Sequence, residues 1–235
     1  MANFETVPWS QGTKIQVIES RGFELSDMNK KVVDQIWFES RDSHHFNGQI
    51  LNYLSFENQI LLGEFVEYKF YYAQTREPSL KELLQIRPVA ISGLTTTANK
   101  LLMGQRSEKV TEYQKFYEVV PSGKIDAEGV DGEQIDLFKQ FQRELWEESG
   151  LSSTDIRDII PFAFIYDKER DSYEICAEIH VNYLAASENL RSTEEYQKLT
   201  WILKSDLENF IKRHASECVP LTLHLLQQKN LLKPL

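Results

Sequence analysis

Arg143-Glu144-Leu145-Trp146-Glu147-Glu148-Ser149-Gly150-Leu151 is the stretch on which the reading of this 235-residue chain turns. Just upstream, Leu137, Phe138, Phe141 and Leu145 recur at helical spacing. They predict a helix over about residues 133–149, with Asp131 as N-cap and Gly150 at C′. A rotation of about 100° per residue places Glu148 inside the apolar stripe, Glu144 at its edge and Glu147 further round, beside Glu144. That placement opposes stability in three ways. Like charges at i,i+4, here Glu144 and Glu148, cost roughly 0.2–0.5 kcal/mol. Carboxylates in the last turn face the negative end of the helix dipole, at about 0.3–1 kcal/mol each when exposed. A carboxylate turned toward the core also carries a desolvation cost unless it is paired or bound to metal. A hard divalent cation relieves all three, because Mg²⁺ prefers oxygen ligands. The plainer alternative is an acidic surface helix, the commoner outcome for an isolated Glu-Glu pair.

Around this helix the chain alternates strands and helices without a regular repeat, which predicts a mixed sheet with helices on its faces. Residues 13–18 read as a strand, and Ser26 as the cap of a helix over about Met28–Ser40 with Val32, Val33, Ile36 and Trp37 on one side. Ile50–Phe56 and a long aromatic run, Ile60–Ala73, read as strands. Ser79-Leu-Lys-Glu reads as a capping box. Beyond Arg87-Pro88, Val89–Thr95, Lys100–Arg106 and Phe116–Val120 read as strands, the last ended by Pro121-Ser122-Gly123. Ile159–Tyr166 and Tyr173–Leu184 predict a hairpin in which Tyr173, Ile175, Ala177, Ile179, Val181 and Tyr183 alternate. Leu199–Leu203 reads as a further strand, and helices are expected over about Ser205–Arg213 and Val219–Lys229.

Composition narrows the function classes. The net charge of −10 disfavours general binding to nucleic-acid phosphates, so no nucleic-acid partner is expected. No apolar run approaches a membrane span, and the N-terminus lacks the basic start and apolar core of a signal peptide. Cys176 and Cys218 read as two buried thiols, and so few cysteines fit a reducing, cytoplasmic setting. No GxGxxG, P-loop or GxSxG motif is present. His44-His45 are adjacent and lack metal-ligand spacing. The tyrosines of Tyr68–Tyr72 are candidates for stacking on bases, but ordinary core or interface suits the acidic balance better.

Arg143–Leu151 resembles the C-terminal half of the Nudix box, R-E-U-x-E-E-x-G-U with U a bulky aliphatic residue, at every specified position. Val120-Pro121-Ser122-Gly123 resembles the loop that opens the box, and Leu101–Ser107 resembles the family's early strand. The resemblance spans roughly residues 88–235, although only the box is specific. It departs in one place. The family pattern is G-x5-E-x7-R, and the interval from Gly123 to Arg143 is six residues longer. Ile135 stands eight positions before Arg143, where the family has the glutamate that holds the arginine and the loop. Glu133 and Asp136 are the nearest acidic substitutes.

The resemblance implies an α/β fold, a Nudix-type α/β/α sandwich with a mixed sheet over residues 87–235, preceded by an N-terminal α/β extension over 1–86. It implies Mg²⁺ or Mn²⁺ on Glu144, Glu147 and Glu148, joined by the Gly123 carbonyl. The activity implied is cleavage of the diphosphate bond in a nucleoside-diphosphate derivative, a small-molecule substrate. Glu144 or Glu147 would accept the water's proton, and Arg143 would orient a glutamate or the loop. Arg106, at a strand end, reads equally as a contact to substrate phosphate and as a surface arginine. Glu178 reads better as a solvent-facing strand residue than as a further ligand. Trp37–Arg41 with Phe46-Asn47-Gly48 is similar to a segment preceding the Nudix domain in a eukaryotic subgroup that hydrolyses UDP-sugars, which brings nucleotide sugars into the candidate list. A helix end and a turn stapled by aromatics explain the same residues. A homodimer is compatible with all of this. The alternative function is a non-catalytic nucleotide sensor, motivated by the altered first half of the box, and a generic interaction module with an acidic helix is the third reading.

Overall fold

The computed structural model describes residues 4–20, 22–40, 46–182, 190–191 and 193–233. His44-His45, Arg41, Tyr183 and Leu184, all named from the sequence, lie outside them. In chain order the first elements are β1 (Phe4–Pro8), β2 (Lys14–Ile18), α1 (Asp27–Glu39), β3 (Gln49–Glu57), β4 (Ile60–Glu67), α2 (Tyr68–Arg76) and α3 (Pro78–Leu84). They are followed by β5 (Val89–Thr96), β6 (Lys100–Arg106), β7 (Tyr117–Val119), β8 (Ser122–Lys124), β9 (Val130–Asp131), β10 (Gln134–Ile135) and α4 (Leu137–Ser149). The chain closes with β11 (Ile156–Asp167), β12 (Ser172–Val181), β13 (Tyr196–Leu203), α5 (Leu207–His214) and α6 (Pro220–Gln228).

The larger sheet runs β1-β11-β12-β5-β6-β13, with β7 added to β6 and β8 to β5. β12 and β5 are parallel and the other pairs antiparallel, so the sheet is mixed. Side-chain alternation gives it two buried faces. Ile91, Ile175, Ala177 and Ile179 pack with Phe141 and Leu145 of α4. From the opposite face Leu94, Met103 and Cys176 pack with Leu207 and Ile211 of α5 and Leu225 of α6. The result is an α/β/α sandwich with a mixed sheet. Cys176 and Cys218 are free and buried, as two small apolar thiols should be.

A second mixed sheet, β3-β4-β2-β10-β9, lies beside α4. Its other face, with Ile50 and Val66, packs on Val33 of α1, Ala73 of α2 and Leu80 and Leu84 of α3. Ser26 caps α1, accepting from Asn29 N at 3.2 Å. The N-terminal and later segments share both sheets, since β1 pairs with β11 and β10 pairs with β2. Among the described residues no helix is long and apolar enough to cross a membrane.

Three local expectations are corrected. The aromatic run 60–73 is not one strand, because β4 ends at Glu67 and Tyr68–Arg76 form α2. Tyr68, Tyr71 and Tyr72 stand at i, i+3 and i+4, a helical spacing that their preference for strands conceals. Asn47 Oδ1 accepts from Lys69 N at 2.9 Å and ties down the helix start. Next, α3 begins at Pro78, and Glu77 rather than Ser79 caps it, accepting from Ser79 N at 3.1 Å. Finally, α4 begins at Leu137 with Asp136 as its cap. Asp131, expected as its cap, and Gln134 and Ile135, expected in its first turn, build the short β9–β10 hairpin. Phe138 falls off the buried stripe and is 52% exposed.

Candidate functional site

The larger sheet splits where β5 and β6 separate. These strands share one register pair, Thr96↔Leu101; beyond it β8 takes the edge of β5 and β7 the edge of β6. The connection between β7 and β8 passes through a cis Val120–Pro121 bond. It is anchored by Thr95 Oγ1 donating to Val120 O at 2.6 Å and by Gly93 N donating to Pro121 O at 2.8 Å. A crevice at a splayed sheet edge is a common ligand position in α/β folds. Here β8 fills the edge and delivers Ser122, Gly123 and Lys124 to the end of α4.

Glu148 is the residue that the helical stripe singled out, and it is buried, with 3% exposure. Ser122 N donates to both its oxygens, at 3.1 and 3.2 Å. Burial first, then the charges of Glu195, Glu144 and Glu118, hold its pKa well above the ordinary range. Glu144 lies one turn earlier. Its Oε1 accepts from Gln140 Nε2 at 2.9 Å and from Arg143 at 3.3 Å. Burial raises its pKa to about 7, against the opposing pull of Arg143. The missing side chain of Gly123 makes room for it, since a Cβ there would lie 2.8 Å from Glu144 Cδ and nearer still to Oε2. Glu147 stands apart. Its side chain is 52% exposed, and its nearest cationic atom is Arg143 Nε at 3.8 Å.

Arg143 has more support than the sequence suggested, and from other residues. It donates to Asp126 Oδ2 at 2.7 Å, Glu128 Oε2 at 3.0 Å and Gln140 Oε1 at 3.1 Å. Glu133 and Asp136, the substitutes expected from spacing, are not its partners; Asp136 caps α4 instead. The physical reason is the position of the extra residues. The β9–β10 hairpin is inserted between Glu128 and Arg143, not between Gly123 and its acidic neighbour, so Glu128 still faces the guanidinium.

Arg106 is a partly buried residue. It pairs with Glu118, which also accepts from Tyr196 OH at 2.7 Å, and its Nε donates to Glu112 O at 3.1 Å. It nevertheless lines the cavity beside Gly123. Glu178 is not part of the site; Lys229 and His180 hold it. Three residues not singled out from the sequence, Glu195, Lys124 and Arg170, complete the surroundings together with Tyr71 of the aromatic run. Glu195 precedes β13 and lines the cavity as an exposed residue, and partial desolvation of its carboxyl raises its pKa. Lys124 and Arg170 add positive charge, and Tyr71 of α2 forms a wall. Lys124, directly after Gly123, was the one accessible signal. Glu195 and Arg170 arrive from distant segments whose pairing spacing does not reveal.

Among the described residues, no three carboxylate, histidine or cysteine side chains are already drawn into a closed metal-ligand set. The donor chemistry still fits a hard cation. The converging groups are oxygen donors, with Glu148 buried; Glu195 and Glu144 raise the pKa of Glu148, and Glu195 also raises that of Glu144. Positive charge between them would oppose the desolvation and repulsion that raise their pKa values.

The fold is similar to solved Nudix hydrolases. A MutT protein from Methanosarcina mazei Go1 matches at 18% identity over 55% of this chain and 93% of its own, with a TM-score of 0.37. A bifunctional NMN adenylyltransferase/ADP ribose pyrophosphatase from Francisella tularensis matches at 14% identity over 70% of this chain and 48% of its own, with a TM-score of 0.47. A C. elegans Ap4A hydrolase binary complex matches at 14% identity over 55% of this chain and 89% of its own, with a TM-score of 0.37. No protein-family model matches the sequence, and no curated protein does.

Proposed function

We propose that this chain is a Nudix-type hydrolase that uses Mg²⁺ or Mn²⁺ to cleave the phosphoanhydride bond of a nucleoside-diphosphate derivative. The observation that carries the reading is Glu148: a carboxylate inside the apolar face of α4, met by one backbone amide and by other carboxylates. Such a group is costly to bury without a compensating charge. Its place beside Glu144, Gly123 and a cavity lined with lysine and arginine gives that cost a purpose.

When bound, the cation would supply Lewis-acid activation of the phosphate and of the attacking water. Glu144 and Glu148 would hold it, with Glu195 as an added carboxylate and Glu147 joining by rotation of its exposed side chain. Gly123 lets the Glu144 carboxylate reach the β8 backbone. Gln140 and Arg143 orient Glu144, whose pKa near neutrality suits it to accept a proton at Oε2. Lys124, Arg106 and Arg170 would draw the diphosphate into the cavity mouth. In this reading residues 87–235 carry the chemistry and residues 1–86 shape the pocket through α2. The seating of Arg143 on Asp126 and Glu128 supports the catalytic reading over the alternative of a non-catalytic sensor.

The test is a panel of nucleoside-diphosphate sugars, ADP-ribose, dinucleoside polyphosphates and nucleoside triphosphates, with Mg²⁺ or Mn²⁺, products resolved by ³¹P NMR. Metal-dependent cleavage of at least one class, lost on Glu148→Gln, is expected. No cleavage of any member, or undiminished cleavage by the variant, contradicts the assignment.

A further inference from the structure

Residues 107–116, the loop between β6 and β7, border the site and carry a carboxylate that the hydrolytic reading leaves unused. Glu112 of this loop forms an ion pair with Arg170 of the β11–β12 turn. Both residues line an outer cavity of about 300 Å³ that Lys124 and Glu195 share. Arg170 also borders the inner cavity at Gly123. One guanidinium thus faces both spaces that a diphosphate would enter, and a group of the protein already answers its charge. On its inner side its charge reaches Glu174 of β12, a carboxyl that is 7% exposed and accepts from Ser92 Oγ at 3.0 Å. Glu174 is fixed in the interior, so Glu112 is the carboxylate that an incoming anion can replace.

The two partners of the outer pair are held differently. Asp167 Oδ1 accepts from Glu169 N at 3.0 Å and from Arg170 N at 3.2 Å, which fixes the Arg170 backbone to the end of β11. The loop that carries Glu112 is strained. Tyr113 and Lys115 have φ of 51° and 66°, in the left-handed region that L side chains rarely adopt. Such torsions persist where surrounding contacts impose them, and they gather at clamps and switches. Here the contacts include Glu112 on Arg170, Arg170 over the Tyr113 ring at 5.3 Å, and Arg106 Nε donating to Glu112 O at 3.1 Å.

The Glu112 and Arg170 side chains are 44% and 31% exposed. A pair that solvent reaches contributes little net stability, because water screens the attraction and two long side chains lose freedom. A diphosphate offers the same forked geometry with more negative charge. While Glu112 stays in place, it also repels that charge.

We infer that Glu112 is an internal competitor for the anion position on Arg170. Without ligand it ties loop 107–116 to the β11–β12 turn; an entering diphosphate takes its place on the guanidinium and releases the loop. The hydrolase reading is needed only to make that anion a substrate, and the exchange itself is measured without turnover.

The experiment is calorimetric titration of the full chain with inorganic pyrophosphate in EDTA. It compares the parent with Glu112→Gln, Arg170→Met, the double variant and Glu108→Gln. The last removes the same charge from the same loop, but its carboxylate pairs with Lys115. Glu112→Gln should bind pyrophosphate at least fivefold more tightly than the parent, and Glu108→Gln within twofold of it. The gain should vanish when Arg170 is already methionine. Trypsin should cut after Lys109 or Lys115 faster when pyrophosphate is added to the parent, and faster in Glu112→Gln without it. Thermal melts confirm folding, and the comparison of Glu112→Gln with Glu108→Gln decides if Arg170→Met does not fold. An equal gain in Glu108→Gln, a gain that survives in the double variant, unchanged trypsin cleavage, or no pyrophosphate binding by any of the proteins overturns the proposal. Tighter binding by Glu112→Gln in a chain that cleaves nothing leaves the competition standing and rejects the hydrolase. Metal-dependent cleavage by the parent with no gain in Glu112→Gln does the reverse.

Discussion

Gly123→Ala should separate activity from stability in this fold. The backbone at Gly123 lies outside the positive-φ region, so alanine adds no torsional strain. Its new methyl group would stand 2.8 Å from Glu144 Cδ and nearer still to Oε2, whereas ordinary contact begins at 3.4 Å, so the carboxyl must retreat by more than about 0.6 Å. The group that moves is the end of a flexible side chain, and the expected stability cost is below about 1 kcal/mol. The catalytic cost is larger. A misplacement of about 1 Å can lower a rate on the order of 10²-fold, so a loss of roughly 10- to 10²-fold in kcat/KM is expected. Gly104→Ala is the contrast. Its Cβ would enter the Tyr196 ring and meet Val120 Cγ2 at 3.0 Å, inside the core. Overpacking there should cost about 1–3 kcal/mol. The assay pairs urea melts with initial rates on whichever diphosphate substrate the panel identifies. Full activity in Gly123→Ala, or destabilisation equal to that of Gly104→Ala, would refute the view that this glycine exists to admit Glu144.

Three further outcomes follow from the same geometry. Glu148→Gln keeps the volume and the Ser122 amide contact while replacing a carboxyl that burial makes costly to ionise, so its Tm in the absence of metal should equal or exceed the parent's, while kcat falls by about 10²-fold or more in a rate assay. Arg143→Ala leaves Asp126 and Glu128 facing each other and should cost roughly 1–3 kcal/mol in urea unfolding; Arg143→Lys should recover only part, since an ammonium cannot fork between both carboxylates. Glu174 has a folded pKa raised by burial from 4.5 to about 7. The folded state therefore holds a proton that the unfolded chain releases, and this group's contribution to stability falls as pH rises between those values, by at most about 3 kcal/mol. Glu174→Gln removes that decline, so its Tm should exceed the parent's at pH 8 and match it near pH 4.5.

Much of the candidate site was legible in the sequence because α4 carries a strong helical period. Leu137, Phe141 and Leu145 defined the stripe, and Glu148 stood out as the residue that did not belong on it. Alternation along Ile175, Ala177 and Ile179 likewise marked a strand with one buried face, although Glu174 and Cys176 show that its other face is buried as well. What escaped notice depends on tertiary pairing. Tyr68–Tyr72 are good strand residues that become helix because Asn47 and Gly48 tie down the turn before them. The partners of Arg143 were misplaced because counting along the chain cannot tell on which side of Glu128 the β9–β10 hairpin is inserted. Glu195 and Glu174 gave no local sign at all; one precedes an edge strand and the other sits in an alternating strand whose polar members usually face water.

The central claim is that the carboxylates at the end of α4 share a divalent cation, and Mn²⁺ titration followed by electron paramagnetic resonance tests it most directly. Even supporting groups around a metal typically change affinity by about 10–100-fold, so Glu148→Gln should weaken Mn²⁺ binding by at least that factor relative to the parent. Mn²⁺ binding of equal strength in the two proteins, or its absence in the parent, would contradict the account.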